Sequence, residues 1–102
     1  MAEISKEYAQ ALFELAKEQG IEQECAAALH VIAAELDNMP EYAELLSSPN
    51  IPMDERKALI EQAFSAHVPE YVLSFTQLLC EHGHIREFGS CLREYEELYK
   101  AL

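Results

Sequence analysis

The stretch Tyr8-Ala9-Gln10-Ala11-Leu12-Phe13-Glu14-Leu15-Ala16 constrains this chain more than any other. Only Gln10 and Glu14 in it are polar. At about 100° per residue of α-helix, Ile4, Tyr8, Ala11, Leu12 and Leu15 form one stripe. Ala9, Phe13 and Ala16 form a second stripe beside it. Together the apolar arc covers roughly 200°, whereas one packed face needs little more than about 100°. Lys6, Glu7, Gln10, Glu14, Lys17 and Glu18 occupy the remainder. A helix with this surplus has two ways to hide it. Either it sits centrally in a bundle, or one stripe faces its own core and the other receives a partner.

A chain of 102 residues is one domain with room for a single core. With 50% hydrophobic and 25% charged residues, it has the make-up of a soluble globular chain. Glycine and proline are scarce, so long regular elements are expected. The net charge of −12, from 19 acids against 7 Lys and Arg, excludes a nucleic-acid partner, because phosphate binding needs a basic footprint. It equally disfavours attraction to an anionic membrane. It suits a basic or amphipathic protein partner. No apolar run approaches the 18 or so residues of a membrane span, so no direct membrane insertion is expected. Met1-Ala2-Glu3 shows no leader pattern. Cys25, Cys80 and Cys91 are odd in number and lack CxxC spacing, which predicts reduced thiols in a cytosolic compartment.

Six helices are expected, with no stretch of period-two alternation and hence no strand. The first runs from about Ser5, a candidate N-cap, to Glu18, and Gly20 stops it. The second spans about Ile21 to Asn38, with Cys25, Ala28, Leu29, Ile32 and Leu36 on one stripe. A short third helix, Pro40 to Leu46, begins with proline in its first turn. Ser47-Ser48-Pro49-Asn50-Ile51-Pro52 is a loop. The fourth helix spans about Met53 to Ser65, with Leu59, Ile60, Ala63 and Phe64 inward and Asp54 and Glu55 complementing its N-terminal dipole. The fifth, about Pro69 to Glu81, repeats the surplus of the first. Tyr71, Phe75 and Leu78 make one stripe, and Val72 and Leu79 lie alongside. His82-Gly83-His84 is a turn. The sixth spans about Ile85 to Leu102, with Phe88, Leu92, Tyr95, Leu98, Tyr99 and Leu102 on a near-heptad stripe. The fold class is therefore all-α, a single six-helix bundle. No tetratricopeptide pattern repeats along it.

No catalytic grouping emerges. Cys80-x-His82-x-His84, with Cys91 beyond, is not a zinc spacing, since zinc sites pair their ligands as C-x₂₋₄-C and H-x₃₋₅-H. A helix end is the simpler account, with Gly83 left-handed and the histidines near the C-terminal dipole. The cysteines fall on or beside apolar stripes, where they act as small buried hydrophobes rather than nucleophiles. Phosphate loops, GxSxG, HExxH and acidic calcium loops are missing. Glu96-Glu97 suits a solvated face. Neither an enzyme nor a cofactor is expected. The surplus apolar arc on helices one and five remains. It is either plain core or a groove that takes an amphipathic helix from another protein.

Tyr8-Ala9-Gln10-Ala11-Leu12-Phe13-Glu14-Leu15-Ala16 resembles the opening R-Y-A-x-A-L-F-x-x-A helix of the delta subunit of F-type ATP synthases, the family of the oligomycin-sensitivity-conferring protein. Leu45-Leu46-Ser47-Ser48-Pro49 with Ile51 is similar to that family's L-L-x-x-P-x-I loop. Lys57 with Leu59-Ile60 is similar to its K-x-x-L-I. Phe75-x-x-Leu78-Leu79-x-Glu81-His82-Gly83-His84 is similar to F-x-x-L-L-x-E-N-G-R. Single motifs are weak, whereas their ordered set is specific and covers nearly the whole chain as the family's N-terminal domain. The departures are Glu7 for the common Arg, His82 for Asn and His84 for Arg.

The resemblance implies a non-catalytic stator component. Such a domain binds the N-terminal helix of an alpha subunit between its helices one and five. It thereby links the catalytic head to the peripheral stalk. Tyr8, Ala11 and Leu15 of helix one and Phe75 and Leu78 of helix five match the groove positions. The helical wheel adds Leu12 and Tyr71. The implied place is peripheral, on the cytoplasmic face of a bacterial inner membrane. The family's C-terminal domain, which meets the peripheral-stalk b subunit, is absent from this sequence, so a fragment or excised domain is expected. A generic helical adaptor for another amphipathic peptide is the alternative.

Overall fold

A computed structural model describes residues 2–102. Met1, the first position of the stretch inspected for a leader, lies outside the described residues. Among the described residues the chain forms α1 (Ala2–Gln19), α2 (Glu22–Asn38), α3 (Pro40–Ser47), α4 (Met53–Phe64), α5 (Glu70–Glu81) and α6 (Phe88–Lys100), with no strand. A 3₁₀ turn, Ile85–Glu87, leads into α6.

Two glycines end helices as the sequence implies. Gly20 sits at φ +67° and Gly83 at φ +76°. After α1, the Gly20 N–H donates to Lys17 O at 3.1 Å and the Ile21 N–H to Ala16 O at 2.9 Å. After α5, the Gly83 N–H donates to Cys80 O at 3.1 Å and the His84 N–H to Leu79 O at 2.7 Å. Both are Schellman closures, which satisfy carbonyls the helix leaves orphaned. After the first of them α2 packs back on α1, and after the second the chain enters a 3₁₀ turn that packs on α3 and α5.

The most extensive helix pairing is α1 against α6, followed by α4 on α5 and α2 on α6. Ala9, Phe13 and Ala16 of α1 are buried in the core. Phe13 meets Tyr95 of α6 edge to face, with ring centroids 5.4 Å apart. Tyr95 is buried, and its hydroxyl donates to Glu22 O at 2.8 Å, tying α6 to the start of α2. Burial pushes the Tyr95 hydroxyl well above the usual tyrosine range. On the other side, Leu46 O accepts from the Cys80 thiol at 3.3 Å and from Arg56 at 3.4 Å, so the open end of α3 is closed by α5 and α4. Arg56 Nε also donates to Ile51 O at 2.8 Å, which holds the proline-rich loop down. Thr76 is buried within α5 because its hydroxyl donates to Val72 O at 2.9 Å.

Four expectations need correction. Ser5 is no N-cap. The helix begins at Ala2, and Ser5 is buried one turn in, its hydroxyl beside the Cys91 thiol of α6. A small side chain is what the α1–α6 seam admits there. Ala63 is exposed rather than inward, since one methyl is too short to reach the core from an edge that Leu59 reaches. The last helix does not begin at Ile85, because the Gly83 closure leaves a 3₁₀ turn before α-geometry starts at Phe88. Its stripe also stops early. Leu98 and Tyr99 are half-buried and Leu102, beyond the helix end, is exposed.

Candidate functional site

α1 and α5 lie side by side, and their outer stripes leave a trough of about 270 Å³ between them. It is lined by Tyr8, Ala11, Leu12, Leu15, Tyr71, Ser74, Phe75 and Leu78. The structure thus brings all seven residues proposed from the sequence to one surface feature. It also sorts them by depth. Leu12 is 3% exposed and Phe75 7%, so these two form the floor. Leu15 at 41%, Tyr71 at 38% and Leu78 at 42% form the walls. Ala11 is exposed and Tyr8 half-buried.

The division follows from the helical wheels. On α1 the Ala9–Phe13–Ala16 stripe is consumed by α6 and α2, and the Tyr8–Ala11–Leu15 stripe faces outward. On α5 Val72, Thr76, Leu79 and Cys80 are buried, and Tyr71 and Leu78 are not. Leu12 and Phe75 sit where the two arcs meet, so they serve core and trough at once.

An aromatic row stiffens the floor. Phe75 packs edge-on against Phe88 of α6 at 6.1 Å between centroids. Tyr8 packs edge-on against Phe75 at 6.3 Å. The His84 ring lies 5.8 Å from the Tyr8 ring, and its Nδ1 is 3.9 Å from Glu87. The Gly83 closure delivers His84 to this place, since His84 directly follows that glycine and its N–H closes on Leu79 O. Sequence reasoning missed Ser74 and His84. Ser74 lies about 40° beyond Leu78 on the wheel, on the outer side of the Tyr71–Leu78 stripe, so its position was legible, but its polarity hid it. Of the three departures from the resembled motifs, Glu7 and His82 are exposed, and the His84 ring packs against Tyr8 of the trough.

Cys80, His82 and His84 do not converge. The Cys80 thiol is turned into the core toward Leu46 O, whereas His82 is exposed. Among the described residues no three His, Cys, Asp or Glu side chains stand together as metal ligands. Burial pushes the thiols of Cys25 and Cys80 up, and that of Cys91 to about 11. Thiols so placed are poor nucleophiles. A second recess, about 300 Å³ between α2, α3 and the start of α6, includes Asp37 and Arg86 and lacks the apolar continuity of the trough. No helix among the described residues is long and apolar enough to cross a membrane.

Residues 4–102 match the family model of the ATP synthase delta (OSCP) subunit. Over 95 residues the chain is 34% identical to the ATP synthase subunit delta of Lysinibacillus sphaericus, covering 93% of this chain and 53% of that protein. The same-named protein of Alkaliphilus oremlandii is 36% identical over 96 residues, covering 93% and 53%. That of Shouchella clausii is 32% identical over 95 residues, covering 93% and 52%. The chain spans about half the length of the curated relatives it matches. With a match over nearly all of its length, this all-helical chain belongs to the ATP synthase delta (OSCP) subunit family.

Proposed function

We propose that the trough between α1 and α5 receives the amphipathic N-terminal helix of an ATP synthase alpha subunit, and that the chain acts as a non-catalytic stator part. In that role it holds the catalytic head against rotary torque. A C-terminal domain of the family type would carry the link to the peripheral-stalk b subunit. The complex would place it peripherally at the cytoplasmic face of a bacterial inner membrane.

The observation that carries this reading is an apolar trough whose walls remain wet. Leu15, Tyr71 and Leu78 keep roughly two-fifths of their surface exposed over a floor already packed by Leu12 and Phe75. Large apolar side chains gathered on one exposed surface mark an interaction site. A trough of about 270 Å³ is too small for a helix about 10 Å across, so the partner lies on top and inserts its side chains. Ala11 lets that helix come close, and Tyr8 and Tyr71 each offer a ring and a hydroxyl. A load-bearing joint requires a slow off-rate, which buried apolar anchors supply.

The test is titration of the ¹⁵N-labelled chain with an alpha-subunit N-terminal peptide. Amide shifts concentrated on residues 8–15 and 71–78 are expected. An absence of shifts, or shifts centred on another face, would refute the reading. Equal shifts with an unrelated amphipathic peptide would favour a general adaptor.

A further inference from the structure

We propose that the outer edge of α1 sets both the charge and the direction of the helix that occupies the trough; the proposal rests on the docking reading above. At about 100° per residue, Glu18, Glu7 and Glu14 lie about 20°, 40° and 60° beyond Ala11, on the side away from the core. All three are exposed. Lys6 and Lys17 fall on the opposite edge of α1, and the Lys17 ammonium lies 5.8 Å from the centroid of the Phe13 ring. The charges of this helix are therefore sorted, acids toward the trough and lysines away from it.

Lys17 lines one recess with Glu14 and Glu18 but forms no ion pair with either. Among the described residues no Lys, Arg or His pairs with Glu7, Glu14 or Glu18. Glu14 and Glu18 stand one turn apart, where like charges repel. The facing wall differs. On α5, Glu81 is held by Lys57 at 2.8 Å, and Ser74 lies on the outer side of the Tyr71–Leu78 stripe. Glu70 is the one further acid there, at the N-terminal end of α5. The trough is thus acidic along one wall and close to neutral along the other.

Such a trough attracts a helix with Lys or Arg beside its apolar stripe and repels one with Glu there. Its asymmetry adds a second consequence. A helix lying apolar face down can point either way along the trough. Reversing it exchanges which of its edges lies over α1. A partner with basic residues on one edge only is therefore held in one direction.

Three designed amphipathic peptides of about 20 residues test this, sharing one apolar stripe. One carries Lys along the left edge, one along the right, and one carries Glu on both. At about 20 mM salt both Lys peptides should bind about tenfold or more tightly than the Glu peptide, and most of the gap should vanish at about 500 mM, where screening is short-ranged. In the triple variant Glu7→Gln, Glu14→Gln, Glu18→Gln the gap should close at low salt. A spin label on the peptide N-terminus should broaden amides at opposite ends of the trough for the two Lys peptides. Equal affinities at low salt, or the same end broadened by both, would overturn the proposal and leave docking intact. Failure of all three peptides to bind at any salt would overturn this proposal, whereas the docking reading falls only if the alpha-subunit peptide leaves the amides of residues 8–15 and 71–78 unshifted.

Discussion

Leu78→Asp separates a docking wall from a core position. Full burial of a leucine stabilises by about 1.5–3 kcal/mol. Leu78 keeps 42% of its surface in water, so a partner that covers the rest gains about 1 kcal/mol from this residue. An aspartate there forfeits that gain. It also strands a polar group under the partner, at about 1–3 kcal/mol more. The total, about 2–4 kcal/mol, corresponds to roughly 30- to 700-fold in Kd. The fold should survive. Losing the covered part of the side chain costs about 1–2 kcal/mol, and the poorer helix propensity about 0.5 kcal/mol. The new charge near the C-terminus of α5 adds a few tenths. That sum lies below the about 5–15 kcal/mol that holds a domain of this size. Calorimetry with the alpha-subunit peptide reads the affinity, and a urea melt reads the fold. Leu79→Asp is the control, because Leu79 is fully buried one residue on and should unfold the chain. Unchanged affinity in Leu78→Asp would refute the docking argument. Unfolding of Leu78→Asp, like that of Leu79→Asp, would show that the position is core.

Gly83→Ala should destabilise by about 1–2 kcal/mol in a urea melt, the cost of a left-handed residue with a side chain. Nothing lies within 4 Å of the added carbon, so a loss well beyond this would mean that crowding is involved. Lys57 holds the Glu81 carboxyl below its usual range through a hydrogen bond and its charge. Because the folded value is lowered, the pair stabilises above the ordinary carboxylate range and loses this as pH falls through the lowered value. Carboxyl NMR should show Glu81 titrating higher in Lys57→Met, and no movement would mean that the pair does not persist in solution. Cys91, raised to about 11, should be about one part in a thousand thiolate near pH 8 and should resist iodoacetamide until the chain unfolds. Rapid labelling of the native chain, read by mass spectrometry, would contradict its burial.

Much of the fold follows from local signals. Gly20 and Gly83 stop α1 and α5 because a left-handed residue without a Cβ is what a Schellman closure requires, and that requirement is visible in the chain itself. The proline-rich loop before α4 is equally local. Ser5 was misread because a serine ahead of an apolar run satisfies the capping rule whether or not the helix has already begun. Ala63 was misread because a helical wheel records direction and not reach. The 3₁₀ start of the last helix depends on how the Gly83 closure aims the chain, which periodicity does not encode.

The candidate site divides along the same line. The chain alone determined that α1 and α5 carry more apolar arc than one contact covers, since 3.6 residues per turn is a property of any helix. The resemblance selected the positions. Tertiary structure decided the assignment of each stripe. α6 packs on the Ala9–Phe13–Ala16 side of α1, so Leu12 and Phe75 sink to the floor while Leu15, Tyr71 and Leu78 stay in water. It also decided that the His84 ring abuts Tyr8 at the rim. An amphipathic wheel specifies how much surface a helix must hide. Which neighbour hides it is settled only by packing between residues distant in sequence, because side chains there compete for the same volume.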